Sequence, residues 1–246
     1  MRFFLRLLTF LFIVFIVPAL MHAGVWAFAD RPTSWHQADW SSAGVLPKPR
    51  FEDASIYVMA ARTGGMKGAF ATHSWIVIKK PGQARYDRYD VVGWGRPLRK
   101  NAYDADGRWY SNPPEIHHAV HGSEAARLVP QVEAAIAQYR WQNRGDYTLW
   151  PGPNSNSFVG GILRAVPDLN TAAPSTAVGR DYPTDGRWFS IAEGTMRATL
   201  GGYIGLVAGA GAGLELNFLG LVAGINPMRG EIKIPAFGTY KLWNAT

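Results

Sequence analysis

The sequence predicts an α+β fold, in which antiparallel strands pack against helices behind an apolar leader. Three observations lead there. Short β-branched and aromatic runs follow one another with tight turns between them, two later segments carry apolar residues at helical spacing, and a Gly-rich tail returns to strand-like patterning. The 246 residues, 48% of them hydrophobic, suffice for one well-buried domain with accessory segments. The expected organisation is a leader over 1–29, an α+β domain over 30–190 and a Gly-rich β segment over 191–246.

The leader opens with Arg2 and Arg6, its only charged residues, and is apolar from Leu7 to Leu20 apart from Thr9. It reads as a signal peptide cut after Ala27-Phe28-Ala29, or as an uncleaved anchor long enough to cross about 30 Å of hydrocarbon. Pro18 and His22 slightly favour a signal or a short anchor over a strong span, and retention is the expected outcome. The leading arginines favour an N-in orientation, which exports the remainder. The expected location is the bacterial inner membrane facing the periplasm, or the periplasm itself if the leader is removed.

Residues 31–50 form a Trp- and Pro-containing connector that is expected to pack on the domain. Residues 54–61 ("ASIYVMAA"), 72–80 ("THSWIVIKK") and 86–95 ("YDRYDVVGWG") read as three strands of an antiparallel meander, since only short turns link them. Residues 115–120 read as a fourth short strand. Ser123 begins a helix to about Tyr139, with Leu128, Val129, Val132, Ala135 and Ile136 on one face. A second helix runs from about Ser155 to Ala165. Between 198 and 225, glycine is too dense for a comfortable helix in water. Two Gly-broken strands joined at 210–213 are expected instead, and "EIKIPAFGTYKLW" supplies a last strand pair. "GGYIGLVAG" and "LNFLGLVAG" end alike, which suggests a small hairpin-like duplication.

There is no cysteine, so disulfides, thiolate metal sites and thiol nucleophiles are excluded. The formal net charge is +7, yet the basic residues are scattered and no nucleic-acid motif is present. Attraction to an anionic envelope surface fits better than nucleic-acid binding. The glycines near 201–213 lack the Lys-Ser/Thr ending of a phosphate loop, and no cofactor is expected. His117, His118 and His121 fall on an extended segment, where His117 and His121 share one face and His118 the other; no metal site is expected. Asp104-Ala105-Asp106-Gly107 lacks the further ligands of a calcium loop and reads as a turn.

The stretch "WPGPNSNSFVGG" (150–161) carries the sharpest question. A small polar residue at a helix start either caps the helix or, held in the dipole's field, serves as a nucleophile. A strand with His73 precedes a helix that opens Asn154-Ser155-Asn156-Ser157-Phe158. This order resembles the circularly permuted papain-like superfamily, which includes NlpC-like peptidases; there a His strand precedes a helix opening Asn-Cys-x-x-Phe. The pairing of "HSWIVI" with "WPGPNSNSF" also resembles a bacterial family known as domain of unknown function 3750, over most of the chain after the leader. The papain-like resemblance covers about 54–165. It implies a permuted papain-like sheet packed on helices, with Ser155 at the nucleophile position, His73 as base and a group on the next strand as orienter. Chemistry selects Asp90 for that last role, with Tyr89 as the alternative.

A serine alkoxide is much harder to form than a thiolate and needs an oriented base and an oxyanion hole. The expected function is therefore a membrane-associated, exported, non-catalytic domain that binds an envelope peptide, peptidoglycan fragment or lipid. A serine-dependent hydrolase or acyl/peptidyl transferase on an envelope substrate is the alternative. Trp75, Trp94, Trp150, Asn154 and Asn156 are the expected binding residues beside the site.

Overall fold

The computed structural model describes residues 1–192, 194–210 and 212–243. It is an α+β protein with two antiparallel sheets and an N-terminal apolar helix. That helix, α1 (Arg2–Ala27), contains a π turn at Phe12–Ile16. Its first half projects freely. Its second half docks on the body of the protein, where Phe15 and Ala19 are buried and Trp26 Nε1 donates to Gly65 O at 3.0 Å.

The first sheet contains β1 (Ser55–Arg62), β2 (Thr72–Lys79), β3 (Asp87–Val91), β4 (Leu98–Lys100) and β5 (Glu115–His121), in the order β4-β3-β2-β1-β5. The expected meander is present. β4 is a three-residue addition too short to show a period, and β5 pairs across the sheet with β1 rather than extending the meander. β1 and β2 are apolar on both sides because the sheet is covered on both faces. On one face, Ile56, Val58, Ile76 and Ile78 pack against two helices, α2 (Gly122–Ala137) and α3 (Ser155–Ala165), chiefly through Leu128, Val132, Phe158 and Ile162. Fully burying one such side chain contributes about 1.5–3 kcal/mol. On the other face, Tyr57, Met59, Trp75 and Val77 meet Trp109.

A layer of irregular chain seals that second face. The connector pairs with the 103–112 segment through a bridge between Ser42 and Gly107. The Asp106 carboxylate accepts from Ser42 Oγ at 2.6 Å, and Asp104 from Ser42 N at 3.1 Å. The two acids of the predicted turn thus fasten the connector to the sheet.

The second sheet is a seven-stranded meander of β6 (Phe189–Ala192), β7 (Thr195–Leu200), β8 (Ile204–Gly209), β9 (Gly213–Phe218), β10 (Leu221–Asn226), β11 (Glu231–Ile234) and β12 (Gly238–Lys241). Where two strands were expected between 198 and 225 there are four, because the chain reverses at Gly201-Gly202 and again at Leu219-Gly220, all with positive φ. Glycine adopts that backbone without the Cβ penalty. The two similar stretches are successive hairpins, each a glycine turn followed by a GLVAG strand. The predicted joint at 210–213 includes Gly211, which lies outside the described residues.

Candidate functional site

Strand alternation decides which side chains meet. His73 and Trp75 on β2, and Arg88 and Asp90 on β3, project to the face that carries Trp109, away from the face that holds α3. There His73 Nε2 lies 3.4 Å from Asp90 Oδ2, and Arg88 Nη2 donates to the same oxygen at 2.9 Å. Trp109 stacks on the His73 ring at 3.6 Å between centroids with 4° between planes, and Arg88 lies 4.0 Å over the Trp75 ring. All three polar side chains are at most 5% exposed. Burial lowers the pKa of His73 against the pull of Asp90, which favours the neutral ring. Burial raises the Asp90 carboxyl, but the His73 hydrogen bond and the Arg88 charge outweigh it and hold it below its ordinary value.

At the head of α3 the cap is Asn154, not Ser155. Its side chain accepts from Asn156 N at 2.9 Å and Ser157 N at 3.0 Å, while Ser157 Oγ accepts from Asn154 N at 2.7 Å, which closes a capping box. The Asn154 amide also donates to Leu149 O at 2.9 Å and Val178 O at 3.3 Å. Asn156 Nδ2 donates to Thr72 O at 2.8 Å and Val178 O at 2.9 Å, tying the helix to the start of β2. Asn154 and Asn156 are therefore both engaged in holding the backbone. Ser155, at the first helical position, is buried, and no hydrogen bond joins it to His73 among the described residues. The structure brings His73 and Asp90 together and leaves the hydroxyl out of that group. It adds Arg88 and Trp109 to the imidazole's surroundings.

The three expected tryptophans do not share one wall. Trp75 is fully buried and donates to Ala105 O at 2.9 Å. Trp94 is exposed and lies 6.2 Å from Trp109. Trp150 is exposed beside the second sheet, edge-on to Tyr203 at 4.8 Å.

A cavity of about 420 Å³ opens elsewhere, between the inner face of the second sheet, the end of α3, the 167–175 segment and β5. Six cationic residues line it: Arg164, Arg187, Arg197, Arg229, Lys233 and Lys241, against two carboxylates, Asp185 and Glu231. One row across the sheet explains part of this wall. Arg197, Val207, Glu215, Gly224 and Lys233 stand side by side on β7 to β11. Gly224 leaves the gap through which Lys233 reaches Glu215; a Cβ there would lie 3.2 Å from Glu215 Cγ. Glu215 also pairs with Arg180, so its charge is taken up twice. Arg197 is half-buried, and among the described residues it has no hydrogen bond or ion pair. Burial, reinforced by Arg180 and Arg164, lowers its pKa to about 10, so it stays charged at neutral pH.

His117 and His118 both line this cavity, contrary to the expectation that they face opposite ways. The register of β5 slips between Val58 and Met59, so His117 is bulged out of the alternation. His117 Nε2 is 2.9 Å from Ala172 O, and burial pushes its pKa down to about 4.

A family model described as "Protein of unknown function (DUF3750)" matches residues 53–182. The chain belongs to that family. The matched region runs from the start of β1 through α3 and the Arg180 loop, and includes His73, Asp90 and Ser155. The cavity's far wall, on β7 to β12, lies beyond it. No curated protein and no solved structure matches the chain.

Proposed function

We propose that this family member is a membrane-anchored, exported, non-catalytic binding protein that holds an envelope ligand carrying a phosphate or carboxylate. The observation that carries this reading is the inter-sheet cavity, with six cations against two carboxylates and Arg197 in no ion pair among the described residues. A half-buried guanidinium that makes no ion pair, with the Asp181 charge near it but not in contact, suits an oxyanion, to which it can donate in a bidentate fork. Lipid phosphate and the carboxylates of peptidoglycan stem peptides share that chemistry. By contrast, the His73–Asp90–Arg88 group is sealed beneath Trp109 and the connector.

The test is thermal unfolding of the full chain in neutral detergent, titrated separately with inorganic phosphate, a short-chain phosphatidylglycerol and a muramyl peptide. A ligand present at 100 times its Kd stabilises the fold by about 2.7 kcal/mol. One of the three should raise Tm, and Arg197→Gln should abolish the rise. Equal stabilisation by a short-chain diacylglycerol, which carries no phosphate, or an unchanged response in Arg197→Gln, would overturn the reading. Which probe succeeds separates lipid, free anion and cell-wall peptide.

A serine hydrolase on a permuted papain-like scaffold is the second reading. The contact between His73 and Asp90 favours it, since a carboxylate that orients an imidazole is what a Ser–His site requires. It demands that Ser155 approach the ring when substrate binds. Labelling by a fluorophosphonate, lost in Ser155→Ala, would establish it in place of the first.

A further inference from the structure

Among the described residues, the outward face of the second sheet contains no charged residue. Cross-strand partners on that side run from Ile191 and Met196 through Ala208 and Leu214 to Ile225 and Ile232, and the remaining outward positions are equally apolar, glycine or aromatic. The same strands carry Arg197, Glu215, Asn217, Lys233 and Lys241 on the inward face. Leu200, Ile204, Leu214 and Ile225 are 46–55% exposed. A contiguous face of this kind, with charges confined to its reverse, needs an apolar neighbour.

The position of α1 says which neighbour. The helix lies on this face: the Phe15 ring is 5.6 Å from that of Phe218, and the Phe12–Ile16 turn contacts β10. The portion clear of the body, residues 2–14, spans about 20 Å at about 1.5 Å per residue. A bilayer's hydrocarbon is about 30 Å thick. If α1 spans it, about 10 Å of the docked half must also lie in hydrocarbon, and the sheet surface touching Phe15 goes with it.

We propose that the outward face of the second sheet is seated in the lipid bilayer beside α1, with acyl chains as its occupant. The inference rests on the reading of α1 as a membrane anchor. Six-residue central strands are too short to span, so the sheet enters one leaflet only. Its edges, β6 and β12, have four residues each and stay at the headgroups, where water satisfies their free backbone groups. Exposed Trp188 precedes one edge, Tyr240 lies on the other and Trp243 follows it, the residue types that favour that interface.

The absence of cysteine makes single-site labelling clean. Full-length Leu214→Cys, Ile225→Cys, Leu8→Cys and Arg85→Cys chains carry an environment-sensitive fluorophore and are reconstituted in vesicles of phosphatidylcholine and phosphatidylglycerol. Nitroxide-bearing lipids and aqueous iodide serve as opposed quenchers. The expected result is loss of emission to the lipid quencher at 214, 225 and 8, and to iodide alone at 85. Iodide quenching at 214 and 225 with lipid quenching at 8 would overturn the seated sheet and keep the anchor. Iodide quenching at 8 would overturn both.

Discussion

The Arg88–Asp90 pair permits a quantitative test of what the buried polar group contributes. Both side chains are 1% exposed, and among the described residues the guanidinium has two acceptors, Asp90 Oδ2 and Asp104 O, each at 2.9 Å, with Nε unpartnered. Asp90→Ala leaves an uncompensated charge between Trp75 and Trp109 and removes the acceptor of His73. Breaking a buried pair in this way costs about 3–5 kcal/mol. For a chain of this size, with m near 2–3 kcal/mol per molar urea, the midpoint should fall by about 1–2 M. The assay is urea unfolding of the full chain in neutral detergent, followed by tryptophan fluorescence. Replacing both partners, Arg88→Met with Asp90→Leu, removes the stranded charge and should recover most of the loss, because an apolar pair in a dry layer costs little. A midpoint shift in Asp90→Ala smaller than about 0.3 M, or a double variant less stable than Asp90→Ala, would refute the argument that desolvated charge dominates here.

Two further outcomes follow from the site. The His117 pKa is about 4 in the folded chain and near 6.5 when unfolded, so the unfolded state binds the extra proton between those values. Stability is therefore fully present above pH 6.5 and lost as pH falls towards 4, by at most about 3 kcal/mol from this ring; denaturation against pH should show that slope, and His117→Gln should reduce it, leaving the part of the same sign that the buried His73 ring adds. Asn154→Ala removes the cap of α3 and strands Leu149 O, while Asn156 still donates to Val178 O, so a loss of about 2 kcal/mol is expected in thermal unfolding, where Ser155→Ala should lose less than about 1 kcal/mol.

Much of the first sheet was legible because its strands are covered on both faces. Continuous apolar runs such as "SIYVMAA" and "SWIVI", bounded by glycine and proline, survive any turn geometry. The contact of His73 with Asp90 was reachable as well, since neighbouring strands with alternating residues bring same-face groups together. Trp109 was not legible. It comes from an irregular segment, and no local pattern says that it folds back over β2. Two adjacent residues suited to capping stood at the head of α3, and the serine three places after Asn154 was the signal that settles the choice. The cavity was illegible for a different reason: Arg164, Arg197, Arg229 and Lys233 sit on four separate segments, and scattered basic residues in a sequence say nothing about which of them a meander will gather.

The Gly-rich tail is where sequence and structure diverge most, and its composition is accounted for by a sheet with two different duties. Outward positions need bulk to meet a hydrophobic neighbour, and Leu206, Leu216 and Ile225 supply it. Inward positions must hold long charged side chains against the rest of the protein, which requires removing neighbours rather than adding them. Gly205 stands beside Asn217, and Gly224 between Glu215 and Lys233, so the small residues fall where a charge or amide needs space. With the outward face in acyl chains, the cationic wall opposite would stand one sheet thickness from the hydrocarbon boundary. The headgroup layer adds about 5–7 Å on each side of the hydrocarbon, so a wall one sheet away borders it. An anion held by Arg197 could then belong to a lipid whose chains never leave the leaflet, and ligand capture and membrane seating would be two consequences of one alternating pattern.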